Sequence, residues 1–113
     1  MTKAIAISKH VRISPRKARL AAALIRGKNV PQATAQLMFC SMKGGRLLKK
    51  TLDSAVANAE TQLDLRRENL IVSEVRVDQG TVLKRSKPKN RGGQHAILKR
   101  TSHFTIVVSA GKE

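Results

Sequence analysis

The chain has 113 residues, with 23 lysines and arginines against 7 acidic residues and a formal net charge of +16. That length suits one domain, and self-repulsion at that charge works against a compact free monomer unless a polyanion relieves it, so nucleic acid leads among the partner classes. A lone Cys40 offers no disulfide framework and suits a reducing compartment, no apolar run is long enough to span a membrane, and the opening MTKAIAISKH reads as too short in its apolar part for a secretory leader.

The charges are segregated. No acid precedes Asp53, none lies between Gln79 and Lys112, and Asp53, Glu60, Asp64, Glu68, Glu74 and Asp78 are confined to the middle. An ordinary solvated surface mixes its signs. Aromatics are reduced to Phe39 and Phe104, which argues against a module that stacks successive bases on an aromatic platform and favours phosphate and shape recognition by Arg and Lys.

In chain order, Lys3 to Ile13 alternates, with Ile5, Ile7, Val11 and Ile13 expected on one face of a half-buried strand or extended arm. Ser14-Pro15 is a helix start, a capping hydroxyl followed by Pro at the first helical position, and the helix is expected to run to Ile25 or Arg26 and stop at Gly27. Its first turns carry Arg16, Lys17 and Arg19 and no acid. Cations there oppose the helix dipole at a cost of ~0.3–1 kcal/mol each, a cost that an external phosphate offsets. Val30-Pro31 opens a shorter helix with Val30, Ala33, Leu37 and Met38 on its core stripe, and Cys40 beside Phe39 reads as a small core residue. Ser41 to Gly45 reads as a break, since adjacent glycines weaken a helix. A third helix is expected from near Lys43–Arg46 to Leu63, with Leu48, Leu52, Ala55, Val56, Ala59 and Leu63 on one stripe.

After a polar loop, Leu70 to Asp78 alternates, with Ile71, Val75 and Val77 expected on one face and a bend or bulge at Gln79-Gly80. The segment VLKRSKPKNRGGQHAILKRTSHF, from Val82 to Phe104, is basic, acid-free and too polar to bury. It reads as an extended β-hairpin whose outgoing strand leaves the domain on the order of 25 Å behind at ~3.3–3.4 Å per residue. A return strand is expected from Ala96 to Ser109, with Phe104, Ile106 and Val108 on one face. The predicted fold class is α+β: three helices packed on a small three-stranded antiparallel sheet, with a long protruding β-hairpin arm. The expected division is one domain over 1–113, with a globular part at about 1–80 and 102–113 and the arm at about 81–101.

Enzyme chemistry finds no footing. His10, His95 and His103 lack partners at metal-ligand spacing, no strained turn frames a nucleophilic Ser, Gly92-Gly93 lacks the flanks of a phosphate loop, and the scarce acids form no paired-carboxylate site. No metal and no cofactor is expected. A DNA-bending protein with β-arms would also combine basic helices with a Pro-bearing ribbon, but such proteins dimerise, and no dimer surface is evident; a homo-oligomer is not expected. A membrane-active protein would carry strongly amphipathic helices with bulky aromatics, which are missing.

SPRKARLAAALIRGKNV, the ANAE segment from Ala57 to Glu60, and LKRSKPKNRGG followed by ILKRTSHFTIVVS together resemble the bacterial-type family of large-subunit ribosomal protein twenty-two, over nearly the whole chain. The resemblance implies a structural constituent of the large ribosomal subunit in the cytoplasm. It also implies binding to several domains of 23S rRNA, a part in early assembly, a globular domain near the exit-tunnel opening, and a hairpin lining the tunnel wall. By position, Ser14, Arg16, Lys17 and Arg19 would face rRNA at the first helix, with Lys9, Arg12 and Lys28 as further basic contacts. Lys84, Arg85, Lys87, Lys89, Arg91, Lys99, Arg100, Thr101, Ser102 and His103 would lie along or below the arm. Leu83, Lys84, Arg85, Ser86, Lys87, Pro88, Lys89, Asn90 and Arg91 would form the tunnel-lining tip. The implied partners there are the large-subunit protein numbered four, the nascent polypeptide and macrolide antibiotics. The chain departs from the family pattern at Gly93, Ala96 and Phe104.

Overall fold

The computed structural model describes residues 3–88 and 94–110, with backbone alone over 83–88 and 94–98. The elements in order are β1 (Lys3–Val11), α1 (Pro15–Ala22), α2 (Val30–Met38), α3 (Lys43–Gln62), a short 3-10 turn (Arg67–Asn69), β2 (Leu70–Gln79), β3 (Leu83–Pro88), β4 (Gln94–Lys99) and β5 (Ser102–Ala110).

The last strand is the middle of the main sheet: the order is β1-β5-β2, antiparallel throughout. Phe104, Ile106 and Val108 therefore have a strand on each side and helices on their face, and all three are 0% exposed. Across them lie Leu48, Leu52, Ala55, Val56 and Ala59 of α3, Ala18, Ala21 and Ala22 of α1, and Val30, Ala33 and Leu37 of α2, in one buried cluster. The fold class is the expected one, three helices on one face of a three-stranded sheet. A separate antiparallel ribbon of β3 and β4, with Leu83 opposite Lys99 and Pro88 opposite Gln94, continues outward from β2 and β5. The molecule accordingly measures 65 × 25 × 16 Å.

Several local expectations are corrected. In β1 the alanines, not the isoleucines, face the core: Ala4 and Ala6 are buried, while Ile5 and Ile7 are 54% and 57% exposed. The cause is how close α3 lies to β1. The Thr51 and Ser8 hydroxyls hydrogen-bond at 2.8 Å, and Asn58 donates to the Ile5 carbonyl at 3.1 Å, which leaves room for methyl groups and little more. A register shift between Ser8 and Val11, where His10 takes a φ of 59°, then exchanges the faces, so Ile13 is buried although Ile5 and Ile7 are not.

β2 ends at Gln79, where a bend or bulge is expected, and its register shift lies earlier, between Val72 and Glu74. Leu70 and Val72 face the helices before it, Val75 and Val77 after it, and Ile71 is only half-buried. The Ser73 hydroxyl donates to the Val107 carbonyl at 3.1 Å across the irregularity.

The helices also differ in detail. α1 ends at Ala22 and passes through turns to Gly27, whose φ of 78° favours glycine. There the chain pairs with β2, Gly27 donating to the Val72 carbonyl and Val72 to that of Lys28. Ser14 and Asn29 cap α1 and α2 by accepting from the Lys17 and Gln32 amides. Gly44 and Gly45 lie inside the first turn of α3 and do not break it. A Cβ on Gly44 would come within 3.3 Å of the Ala18 backbone, and one on Gly45 within 2.8 Å of Cys40 Cβ. These glycines let the start of α3 lie close against the middle of α1 and the end of α2. Cys40 is only half-buried, and Met38, expected on the core stripe of α2, is 62% exposed.

Candidate nucleic-acid interface

Two adjoining cavities flank the start of α1. One, of about 500 Å³, is lined by Arg12, Ile13, Ser14, Lys17, Leu20, Met42, Lys43, Gly44, Lys99 and Arg100. The other, of about 360 Å³, is lined by Ser14, Pro15, Arg16, Arg19, Gln79 and Arg100. Ser14 and Arg100 belong to both. Three separate stretches of chain thus send cations to one place: the loop and first turn around Ser14, the first residue of α3, and the base of the arm. Among the described residues no acid lines either cavity. Arg12, Arg16, Lys17, Lys43, Lys99 and Arg100 are all exposed.

The electrostatics follow from the fold. The N-terminus of α1 already carries the positive end of the helix dipole. Gathering further cations around it costs repulsion that no acid among the described residues relieves: the ion pairs there are Lys49–Asp53, Arg67–Asp53 and Arg76–Glu74, at 3.0, 3.7 and 3.1 Å, away from this surface. An anion with spaced charges, such as a phosphodiester backbone, is the complementary ligand.

The family model described as ribosomal protein L22p/L17e matches residues 6–109. The chain is also 74% identical over 109 residues to the large ribosomal subunit protein uL22 of Protochlamydia amoebophila, covering 96% of this chain and 98% of that one. It is 57% identical to the uL22 protein of Chlamydia trachomatis serovar L2, and 58% to that of Chlamydia pneumoniae, each over 91% of this chain and 93% of the relative.

The chain belongs to the ribosomal protein L22p/L17e family.

As an L22p/L17e protein it is a structural component and not an enzyme. Within that frame the expected contact residues divide into two kinds. Arg12, Ser14, Arg16, Lys17, Lys99 and Arg100 are gathered at the cavities. Arg19 reaches them too, but its guanidinium is held by the Val77 carbonyl, with Nε and Nη2 donating at 3.1 and 2.9 Å. Arg26 does the same to the Val75 carbonyl at 2.8 Å. Both arginines fasten the first helical segment to β2. Lys9, on the irregular end of β1, and Lys28, half-buried beside β2, line neither cavity.

Thr101 and Ser102, expected along or below the arm, turn inward. They are 2% and 0% exposed, and their hydroxyls are spent inside the protein: Thr101 donates to the Thr81 carbonyl and Ser102 to that of Ile13 at 2.7 Å. His103 accepts from the His10 amide through Nδ1 at 3.1 Å, and the two imidazoles meet edge-on with centroids 4.9 Å apart. Gly80 donates to the Thr101 carbonyl, and a Cβ on it would lie 2.5 Å from Thr101 Oγ1 and 3.1 Å from His103 Cε1. This run is the fastening of the arm to the domain. Its hydroxyl groups point inward because the chain passes here from a helix-covered sheet to a bare ribbon, and each backbone group at the change needs a partner.

At the tip, Leu83 to Pro88 form β3, described as backbone alone. Expectations for their side chains, and for Lys89, Asn90 and Arg91, lie outside the described residues. Two polar lining residues escaped the sequence reading, Lys43 and Gln79. Lys43 had a signal, since it opens a helix with no acid in its first turn, as α1 does. Its Nζ donates to the Arg12 carbonyl at 3.1 Å, which joins the α3 start to the α1 loop.

Proposed function

We propose that this L22p/L17e protein is a cytoplasmic structural constituent of the large ribosomal subunit that binds 23S rRNA through the cationic surface at the root of its arm. The observation that carries this reading is the meeting of Arg12, Arg16, Lys17, Lys43, Lys99 and Arg100 around the N-terminus of α1 with no acid among the described lining residues. The arm adds a basic, acid-free sequence beyond that surface. An isolated two-stranded ribbon is marginal in water, so it gains its order from what surrounds it, and an RNA crevice accepts a thin ribbon more readily than a helix ~10–12 Å across. A-form grooves hide most base edges, so recognition rests on phosphate geometry and shape.

In this reading the globular part sits near the exit-tunnel opening, and the hairpin segment Leu83 to Arg91 lines the tunnel wall. There it meets the large-subunit protein numbered four, the nascent polypeptide and macrolide antibiotics. Contacts to several rRNA domains give the protein its part in early subunit assembly, and one copy acts without self-association. Crosslinking in growing cells, with sequencing of the attached nucleic acid, tests the reading. A few discrete 23S rRNA sites are expected, with tip crosslinks at tunnel nucleotides. Crosslinks dispersed over chromosomal DNA would overturn it.

A further inference from the structure

Of the two aromatic residues in the chain, Phe104 is fully buried and Phe39 is 86% exposed. Phe39 caps the end of α2 with its ring outside the core cluster, next to Met38. Beside it lies a hollow of about 190 Å³ lined by Ala35, Gln36 and Phe39. Ala35 leaves the flank of the ring open, and Gln36 brings an amide with both donor and acceptor groups to the same hollow.

We propose that Phe39 and Gln36 form a site for one unpaired RNA base, which stacks on the Phe39 ring and hydrogen-bonds along its edge to the Gln36 amide. The proposal rests on the rRNA-binding reading above. Two observations select RNA over a protein segment. The first is continuity: Met42 and Lys43 line the large cationic cavity, and the three residues from Phe39 to Met42 span at most ~11 Å of chain. The Phe39 backbone therefore lies within ~11 Å of a residue that lines the cationic cavity. The second is charge. Gly45 meets Cys40 at the turn between α2 and α3, which brings the start of α3 with Lys43 and Arg46 to the same corner. The chain has no acid before Asp53, and that acid is engaged by Lys49 and Arg67. An apolar ring in such a setting suits an RNA base, whose π-face is apolar and whose backbone is anionic. A single ring does not make the multi-base platform that the composition argues against; it makes one anchoring point.

The test uses assembled large subunits purified from cells carrying the chain. Zero-length ultraviolet crosslinking followed by peptide mass spectrometry is expected to find a nucleotide adduct on Phe39. In Phe39→Ala subunits the adduct is expected to vanish, and the same nucleotide to become several-fold more reactive to base-specific chemical probes. Phe39→Leu, apolar but not aromatic, is expected to expose it as well. Retained protection in the Leu variant would reduce the interaction to apolar burial and overturn the stacking site. RNA adducts on the Arg12 or Lys43 peptides without one on Phe39, and with probing unchanged, would overturn the site and leave the rRNA-binding reading standing. Crosslinking of a photoreactive residue at position 39 to a neighbouring protein would overturn it in favour of a protein partner. No RNA adduct anywhere on the chain would remove both.

Discussion

The same two strands behave differently on either side of Gly80 and Thr101. Inside that line, β2 and β5 share a third strand and a layer of helices, and β5 buries Phe104, Ile106 and Val108 completely. Outside it, β3 and β4 pair, among the described residues, only with each other. The domain holds its strands by apolar packing, while the ribbon has backbone pairing and a basic sequence. The lesson is that two stretches of one continuous hairpin are held by different forces, the inner by burial and the outer by backbone pairing. Substitutions on the two sides of the line should fail in different assays.

The largest separation is expected from Phe104→Ala, which leaves a cavity at the centre of the sheet. A loss of ~3–5 kcal/mol in unfolding free energy is expected by denaturant titration, a large part of the total for a domain of this size. A change within about 0.5 kcal/mol would mean that β5 is not the centre of the core. At the line itself, Gly80→Ala forces a Cβ to within 2.5 Å of Thr101 Oγ1. A cost of ~1–3 kcal/mol is expected, together with poorer incorporation into large subunits, because the fastening of the arm must shift. Normal stability and incorporation would show that the root yields freely.

A smaller effect is expected where the domain begins to meet its ligand. Ser14→Ala removes the cap of α1 and is expected to cost ~1 kcal/mol, measured by thermal or denaturant unfolding. The smallest effect on folding, and the largest on binding, belongs to the cavity cations. Arg12→Ala with Lys17→Ala is expected to change stability by no more than ~0.5 kcal/mol. The same pair is expected to weaken rRNA binding and to flatten its salt dependence by ~0.7–0.9 in the log–log slope for each phosphate that is no longer neutralised. An unchanged slope would place the phosphate-binding cations elsewhere.

Much of this was legible from local pattern. The stripe of α3, the capped starts of α1 and α2, the apolar face of β5 and the basic hairpin all stand in the sequence, because each depends on neighbours three or four residues away, or two in a strand. The misreadings share one cause. Ile5 and Ile7 look like core residues until α3 lies so close to β1 that only Ala4 and Ala6 fit. The bulge between Val72 and Glu74 exchanges the faces of β2 without any glycine or proline to announce it. Gly44 and Gly45 look like a break until Ala18 and Cys40 are seen beside them.

The cationic surface divides in the same way. Its sign and its residue types were present in the sequence, since charge is a property of the residues themselves and no fold changes it. Which cations meet was a matter of packing. Lys43 joins Arg12, and Arg100 joins Ser14, only because α3 and the arm root pack against the start of α1. Thr101 and Ser102 turn inward for the same reason, as the crossing from sheet to ribbon claims their hydroxyls. The class of the fold, the family and the polarity of the partner come from the chain alone, because they follow from periodicity, composition and local motif. Which face of a strand is buried, which arginine is spent on a carbonyl and which aromatic stands in solvent came only with the packed fold. Those outcomes depend on what lies within a few ångströms, and residues far apart in the chain supply that.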